Sequence, residues 1–143
     1  MNKLKIGVIG CGSIAKHRHL PEYAANTQIK IVAVCDIVKS RADETAVLYG
    51  AKSYESYEEL LQNSEVDAVS VCTPNYLHAP ISIAALKAGK HVLCEKPMAT
   101  SRADAEEMIE TASKSGKKLM IAHNQRFVPS HAKAREILAS GEI

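Results

Sequence analysis

The sequence predicts an α/β protein built on a doubly wound, mostly parallel sheet. Two observations carry that reading. Short apolar runs rich in Val and Ile alternate with helical patterns along the whole chain, as βαβ repetition requires. Polar and glycine-containing turns recur where each apolar run ends, at Gly10–Ala15, Asp36, Thr73–Asn75, Glu95–Pro97 and Asn124–Arg126. Parallel strands share one carboxyl edge, so these five segments converge there.

The elements follow in order. Lys5 to Ile9 reads as a buried strand, and Ser13 to about Ala25 as a helix that Pro21 should bend or shorten. His17-Arg18-His19 lies on that helix and reads as a solvated face. Ile29 to Cys35 is the second strand. Lys39 to Tyr49 is a helix of good helix formers stopped by Gly50. Ala51 to Ser53 is a short third strand. Ser56 and Glu59 have the spacing of a capping box that opens a short helix to about Gln62. Val66 to Cys72 is strand four. Tyr76 to Ala88 follows as a helix, with Leu77, Ile81, Ala84, Ala85 and Ala88 on one face and Asn75 placed to cap it. His91 to Cys94 is strand five. Ser101 caps a long helix to Ser115, stopped by Gly116. Lys118 to His123 is strand six, and Pro129 to Ser140 is the last helix. Right-handed crossovers give the strand order 3-2-1-4-5-6 and a single domain over residues 1–143.

The first turn, Gly10-Cys11-Gly12-Ser13-Ile14-Ala15, has the form of the dinucleotide-binding fingerprint with alanine in third place. Gly10 permits a tight strand-to-helix turn. Gly12, without a Cβ, lets a pyrophosphate approach the backbone. Ala15 lets the helix pack close to the sheet. The amides at Ser13 and Ile14 begin a helix whose positive end suits phosphate. Asp36 ends the second strand about 20 residues on, where an acid would accept hydrogen bonds from the adenosine ribose. Its charge opposes a 2′-phosphate, so the expected cofactor is NAD, with NADP disfavoured. Ile37 follows at that edge, and Arg41, one turn into the next helix, can soften the preference by pairing with a phosphate. The alternative for Asp36 is a helix cap.

The later turns bear on the nicotinamide half. Thr73, Pro74 and Asn75 form a rigid turn beside it. His78 can reach the nicotinamide ribose or instead bond nearby backbone. Glu95, Lys96 and Pro97 end a very apolar strand. A lysine there can hydrogen-bond a substrate hydroxyl and assist proton transfer, although a lysine on a surface turn is the bland alternative. The Lys96–Pro97 bond is the place to expect a cis peptide. Gln125 belongs to the last cluster at the edge.

Composition excludes several classes. Net charge is +2, and no basic run forms a nucleic-acid footprint. No apolar stretch approaches membrane-spanning length. Cys11, Cys35, Cys72 and Cys94 form no CxxC pair, so free thiols in a reducing, cytoplasmic setting are expected, with no metal site.

Taken together, these segments resemble the glucose–fructose oxidoreductase, inositol dehydrogenase and MocA (Gfo/Idh/MocA) family. The matching residues are the glycine turn, Cys35-Asp36, Arg41-Ala42, Cys72-Thr73-Pro74-Asn75 with His78, Gly89 through Pro97, and Asn124-Gln125-Arg126-Phe127 with Pro129. The resemblance implies an NAD(P)-dependent dehydrogenase of sugars, inositols or related polyols, with Lys96 as its catalytic lysine. It also implies a second, substrate-binding domain, which these 143 residues do not include. The expectation is therefore a cofactor-binding domain of a homo-oligomeric enzyme, inactive alone. The competing readings are a free-standing NAD-binding sensor or partner module, and a methyltransferase, which has no use for the Thr-Pro-Asn and Glu-Lys-Pro turns.

Overall fold

The computed structural model describes residues 3–142. Six parallel strands form one sheet in the order β3-β2-β1-β4-β5-β6. They are β1 (Leu4–Ile9), β2 (Ile29–Cys35), β3 (Lys52–Tyr54), β4 (Ala68–Val71), β5 (His91–Cys94) and β6 (Leu119–Ile121). This is the expected doubly wound topology, with the order reversing between β1 and β4. The helices are α1 (Leu20–Ala25), α2 (Lys39–Tyr49), α3 (Tyr57–Leu61), α4 (His78–Lys87), α5 (Arg102–Ser115) and α6 (Pro129–Ser140).

Two buried clusters show why the sheet is covered on both faces. Ile9, Leu60, Val69, Ile81, Leu86, Val92 and Met108 pack β-strands against α3, α4 and α5. Val8, Ala15, Leu20, Ile31, Val34 and Ala46 pack the other face against α1 and α2. Strands buried on both sides read as unbroken apolar runs. This is why β2 and β5 fall at their expected bounds.

Several local expectations change. Strand β3 is shifted by one residue, and β4 and β6 are shorter than their apolar runs. Asn75 makes no capping bond. A 3-10 turn, Asn75–Leu77, precedes α4 instead, and Pro74 occupies the cap position with extended backbone. Helix α4 is buried nearly all round, at Ala79, Ile81, Ser82, Ile83, Ala85 and Leu86, rather than on one stripe. It lies between the sheet and α5, which leaves only the narrow face of Pro80, Ala84 and Lys87 toward water. The Ser56 hydroxyl accepts from the Glu59 amide at 3.4 Å, but the return bond is its own donation to Glu58 Oε2 at 2.6 Å.

The first helix departs most. Residues 15–19 form a π-helical stretch, Ala15–His19, in which Leu20 N–H donates to the Ala15 carbonyl five residues back. Pro21 then sits in the first turn of α1, where its missing N–H is harmless. The widened turn absorbs the proline without ending the helix. His19, the last residue of the stretch, is buried.

Candidate functional site

Each strand's carboxyl end is stitched to its neighbour by one more backbone bond. Gly10 N–H donates to Cys35 O at 2.8 Å, Cys72 N–H to Ile9 O at 2.8 Å, Glu95 N–H to Val71 O at 3.0 Å and Ala122 N–H to Cys94 O at 2.8 Å. The polar turns therefore leave a rigid, aligned edge.

A cleft of about 620 Å³ opens there, where the strand order reverses. Gly10, Gly12, Asp36, Ile37, Arg41, Thr73 and Pro74 line it, as the sequence anticipates. Ile9, Leu77 and Ile81 add apolar surface, and Ser56 and Tyr57 close its side. The sequence placed Ser56 as a helix cap but put neither residue at the cleft. Their signal is the capping box, which starts α3 at this edge.

The two glycines have different reasons to be glycine. Gly10 has φ +92°, and a Cβ on it would lie 2.5 Å from the Cys72 carbonyl oxygen. The turn is thus pressed against the end of β4. A Cβ on Gly12 would meet nothing within 4 Å, so it would project into open space beside the helix start. The Thr73 hydroxyl is buried without a partner. An open approach to a helix N-terminus and an orphaned polar atom fit a phosphate-linked dinucleotide.

Asp36 is 6% exposed and already engaged. Its Oδ2 accepts from Cys11 N–H at 2.9 Å, and its Oδ1 from Val38 N–H at 2.9 Å. Arg41 Nη1 donates to both oxygens at 3.2 Å. The carboxylate ties the glycine turn to the residue before α2, whose N-cap is Val38 with no side-chain capping bond, so Asp36 does not act as the helix cap. Its charge is partly met by the guanidinium, which weakens the expected repulsion of a 2′-phosphate.

The remaining expected residues lie outside that cleft. His78 is 1% exposed. Its Nδ1 lies 2.6 Å from Pro97 O and its Nε2 2.9 Å from Thr73 O. The ring bolts the loop after β4 to the loop after β5, so its expected contact with a nicotinamide ribose gives way to the backbone-bonding alternative. Glu95 is also buried, at 8% exposed, and faces His19 rather than the open edge. It lines, with Ile14, His19 and Tyr23, a smaller cleft of about 190 Å³. Lys96 and Pro97 are exposed, and the bond between them is cis. Ser13, Asn75 and Gln125 are exposed as well.

His19 corrects the reading of His17-Arg18-His19 as a solvated face. His17 and Arg18 are exposed, but His19 is 8% exposed. The clue was its spacing. Ala15 must face the sheet, and His19 stands four residues on, on the same side.

The four thiols are free and buried. Burial pushes Cys35 and Cys72 up to about 12 and Cys94 up to about 11, and raises Cys11 too. They are neutral packing groups. Among the described residues, no group of three His, Cys, Asp or Glu side chains could hold a metal, and no helix is long and apolar enough to cross a membrane.

The Gfo/Idh/MocA family model, an oxidoreductase family with an NAD-binding Rossmann fold, matches residues 4–123. The chain belongs to this family. Inositol 2-dehydrogenase of Salmonella typhimurium is 38% identical over 144 residues, covering 98% of this chain and 43% of the relative. D-glucoside 3-dehydrogenase of Escherichia coli is 37% identical, covering 98% of this chain and 40% of the relative. A 3-ketoreductase from Actinomadura kijaniata, solved with NADP, superposes with a TM-score of 0.90 at 37% identity, over 98% of this chain and 45% of that one. The chain thus spans less than half the length of these family members. Its fold is that of their NAD(P)-binding domain.

Proposed function

We propose that this Gfo/Idh/MocA domain seats NAD along the carboxyl edge and contributes Lys96 to hydride transfer from a sugar, inositol or related polyol. The observation that carries the reading is the cleft at the reversal point, where Gly12, Asp36 and Thr73 meet. In this reading the helix start after Gly12 takes the pyrophosphate. Asp36 accepts from the adenosine ribose with the lone pairs left by its backbone donors. The Thr73 hydroxyl finds its partner on the bound cofactor. Ser13, Ile14 and Ile37 flank the dinucleotide, with Pro74, Asn75, Pro97 and Gln125 toward its redox end. His78 and Glu95 support that end from beneath.

Bound NAD supplies the hydride acceptor. Lys96 Nζ takes the substrate's hydroxyl proton as the C–H hydride leaves, so an alcohol becomes a ketone and no charge is stranded. Positioning the polyol and excluding water call for walls beyond this domain, so turnover belongs to a complete enzyme with a following substrate domain. We place that enzyme in the cytoplasm, on its four free thiols, and read it as a homo-oligomer from its family.

NAD is favoured by the buried acid, but Arg41 beside it leaves NADP admissible. Titration of the protein with each cofactor tests this. Tighter NAD binding supports the reading, and the reverse order overturns the assignment of Asp36. The sensor alternative is separated by Lys96→Ala in the complete enzyme, since a sensor would not need that amine.

A further inference from the structure

A chain of buried polar groups runs from the first helix to the residue before Lys96. Tyr23 O–H donates to Ser70 Oγ at 3.1 Å, and Ser70 Oγ lies 2.7 Å from His19 Nδ1. His19 Nε2 lies 2.9 Å from Glu95 Oε1. Glu95 Oε2 accepts from the Lys96 backbone N–H at 3.1 Å. The directions close consistently. Tyr23 gives to Ser70, Ser70 gives to Nδ1, and the Nε2–H gives to the carboxylate, which also takes the Lys96 amide.

A buried carboxylate and imidazole are costly to desolvate unless fully partnered. Here each has partners on both sides. The pair does not line the larger cleft, and the proposed hydride transfer does not use it directly. Its two ends are informative. One is the π-helical turn that follows the glycine loop, and the other is the peptide of the proposed catalytic lysine.

We propose that His19 and Glu95 are positioning residues for Lys96: the carboxylate fixes the lysine's peptide, and the imidazole fixes the carboxylate. The helix whose start faces the pyrophosphate site thereby also sets where the lysine begins. His19 stands four residues after the buried Ala15, on the sheet side, at the end of a π-helical stretch that accommodates Pro21. This rests on the proposed role of Lys96 at the redox end.

The test reads the lysine itself. The protein is labelled with trace acetic anhydride at fixed pH, and the rate at Lys96 is read by peptide mass spectrometry, with and without NAD. Three variants are compared. Glu95→Gln keeps the volume but can accept from only one of its two donors, His19 or the Lys96 N–H. His19→Leu removes the donor. His19→Gln restores an N–H near the Nε2 position. The expected result is a change of about threefold or more in Lys96 labelling for Glu95→Gln and His19→Leu, with His19→Gln near the native rate and NAD affinity within about twofold throughout. Native labelling in Glu95→Gln and His19→Leu would overturn the proposal. Equal effects of His19→Leu and His19→Gln would do the same, since they would show a packing role. Glu95→Gln carries the comparison if His19→Leu does not fold. Should NAD leave the native Lys96 rate unchanged while the variants still shift it, positioning stands and the redox-end assignment of Lys96 falls.

Discussion

The two halves of the carboxyl edge are built differently. At the β1–β2 end, the glycine turn, Asp36, Arg41 and Tyr57 enclose a cleft whose walls all come from this chain. At the β5–β6 end, Lys96 and Gln125 are exposed, as are Met120 and Phe127. The first half is a seat, and the second is a platform. In the proposed function, binding energy for a dinucleotide is gathered at the seat, whereas the chemistry proposed for Lys96 needs something to cover the platform. One half can therefore be perturbed without the other.

The largest expected effect is on the platform. Lys96→Ala in the complete enzyme should lower turnover by about 10²–10⁴-fold, the range for loss of a proton-transferring group. NAD affinity should stay within about twofold in the same variant, measured by titration calorimetry. A parallel loss of affinity would merge the two halves.

The two glycines divide the seat itself. Gly10→Ala should destabilise the fold by about 3 kcal/mol, because its backbone is left-handed and its Cβ would strike the Cys72 carbonyl. Urea denaturation checks this. Gly12→Val should change stability by less than about 1 kcal/mol, since its Cβ enters open space, yet weaken NAD by about tenfold or more. If Gly12→Val bound NAD normally, the open space beside the helix start would not be the phosphate approach.

The thiols give a pH test shared by both halves. Cys35 and Cys72 lie beside the seat and Cys94 beneath the platform. Burial raises all three above the value of 9.0 for an exposed thiol, to about 12, 12 and 11. In alkali the unfolded chain loses those protons first. Stability is therefore fully present below pH 9 and is lost as pH rises toward 11–12, by about 1.4 kcal/mol per thiol per pH unit. Denaturation midpoints should be flat from pH 7 to 8 and fall from pH 9 to 10. Midpoints that stay flat to pH 10 would contradict the burial of these groups.

The smallest effect concerns cofactor choice. Arg41→Ala frees the Asp36 carboxylate from its counter-charge, so NADP should weaken relative to NAD by about 1 kcal/mol or less. An unchanged ratio would remove Arg41 from the discrimination.

The sequence made the seat more legible than the platform, for a physical reason. Gly10 is a local necessity of its turn, Asp36 marks a strand end, and Gly12 leaves the open space that the proposed phosphate approach uses, and each shows in the residue type. Strand order followed from handedness, and β2, α2, β5 and α6 from unbroken patterns with clear stops. What lay beyond reading depended on partners far apart in the chain. His78 bonds Pro97 across 19 positions, and His19 meets Glu95 across 76. No local pattern reports that a histidine at a π-helical turn faces a carboxylate from β5. Asn75 failed as a cap because Pro74 holds the entry to α4 extended. The buried surface of α4 is wider than the expected stripe because α5 packs on it as well as the sheet, leaving only Pro80, Ala84 and Lys87 toward water.

The most direct measurement is a crystal structure of the protein with NAD. The expected result is pyrophosphate at Gly12 and the helix start, the adenosine ribose on Asp36 and the nicotinamide ring beside Lys96 at the β5 edge. A dinucleotide bound elsewhere, or one whose nicotinamide points away from the β5 edge, would contradict it.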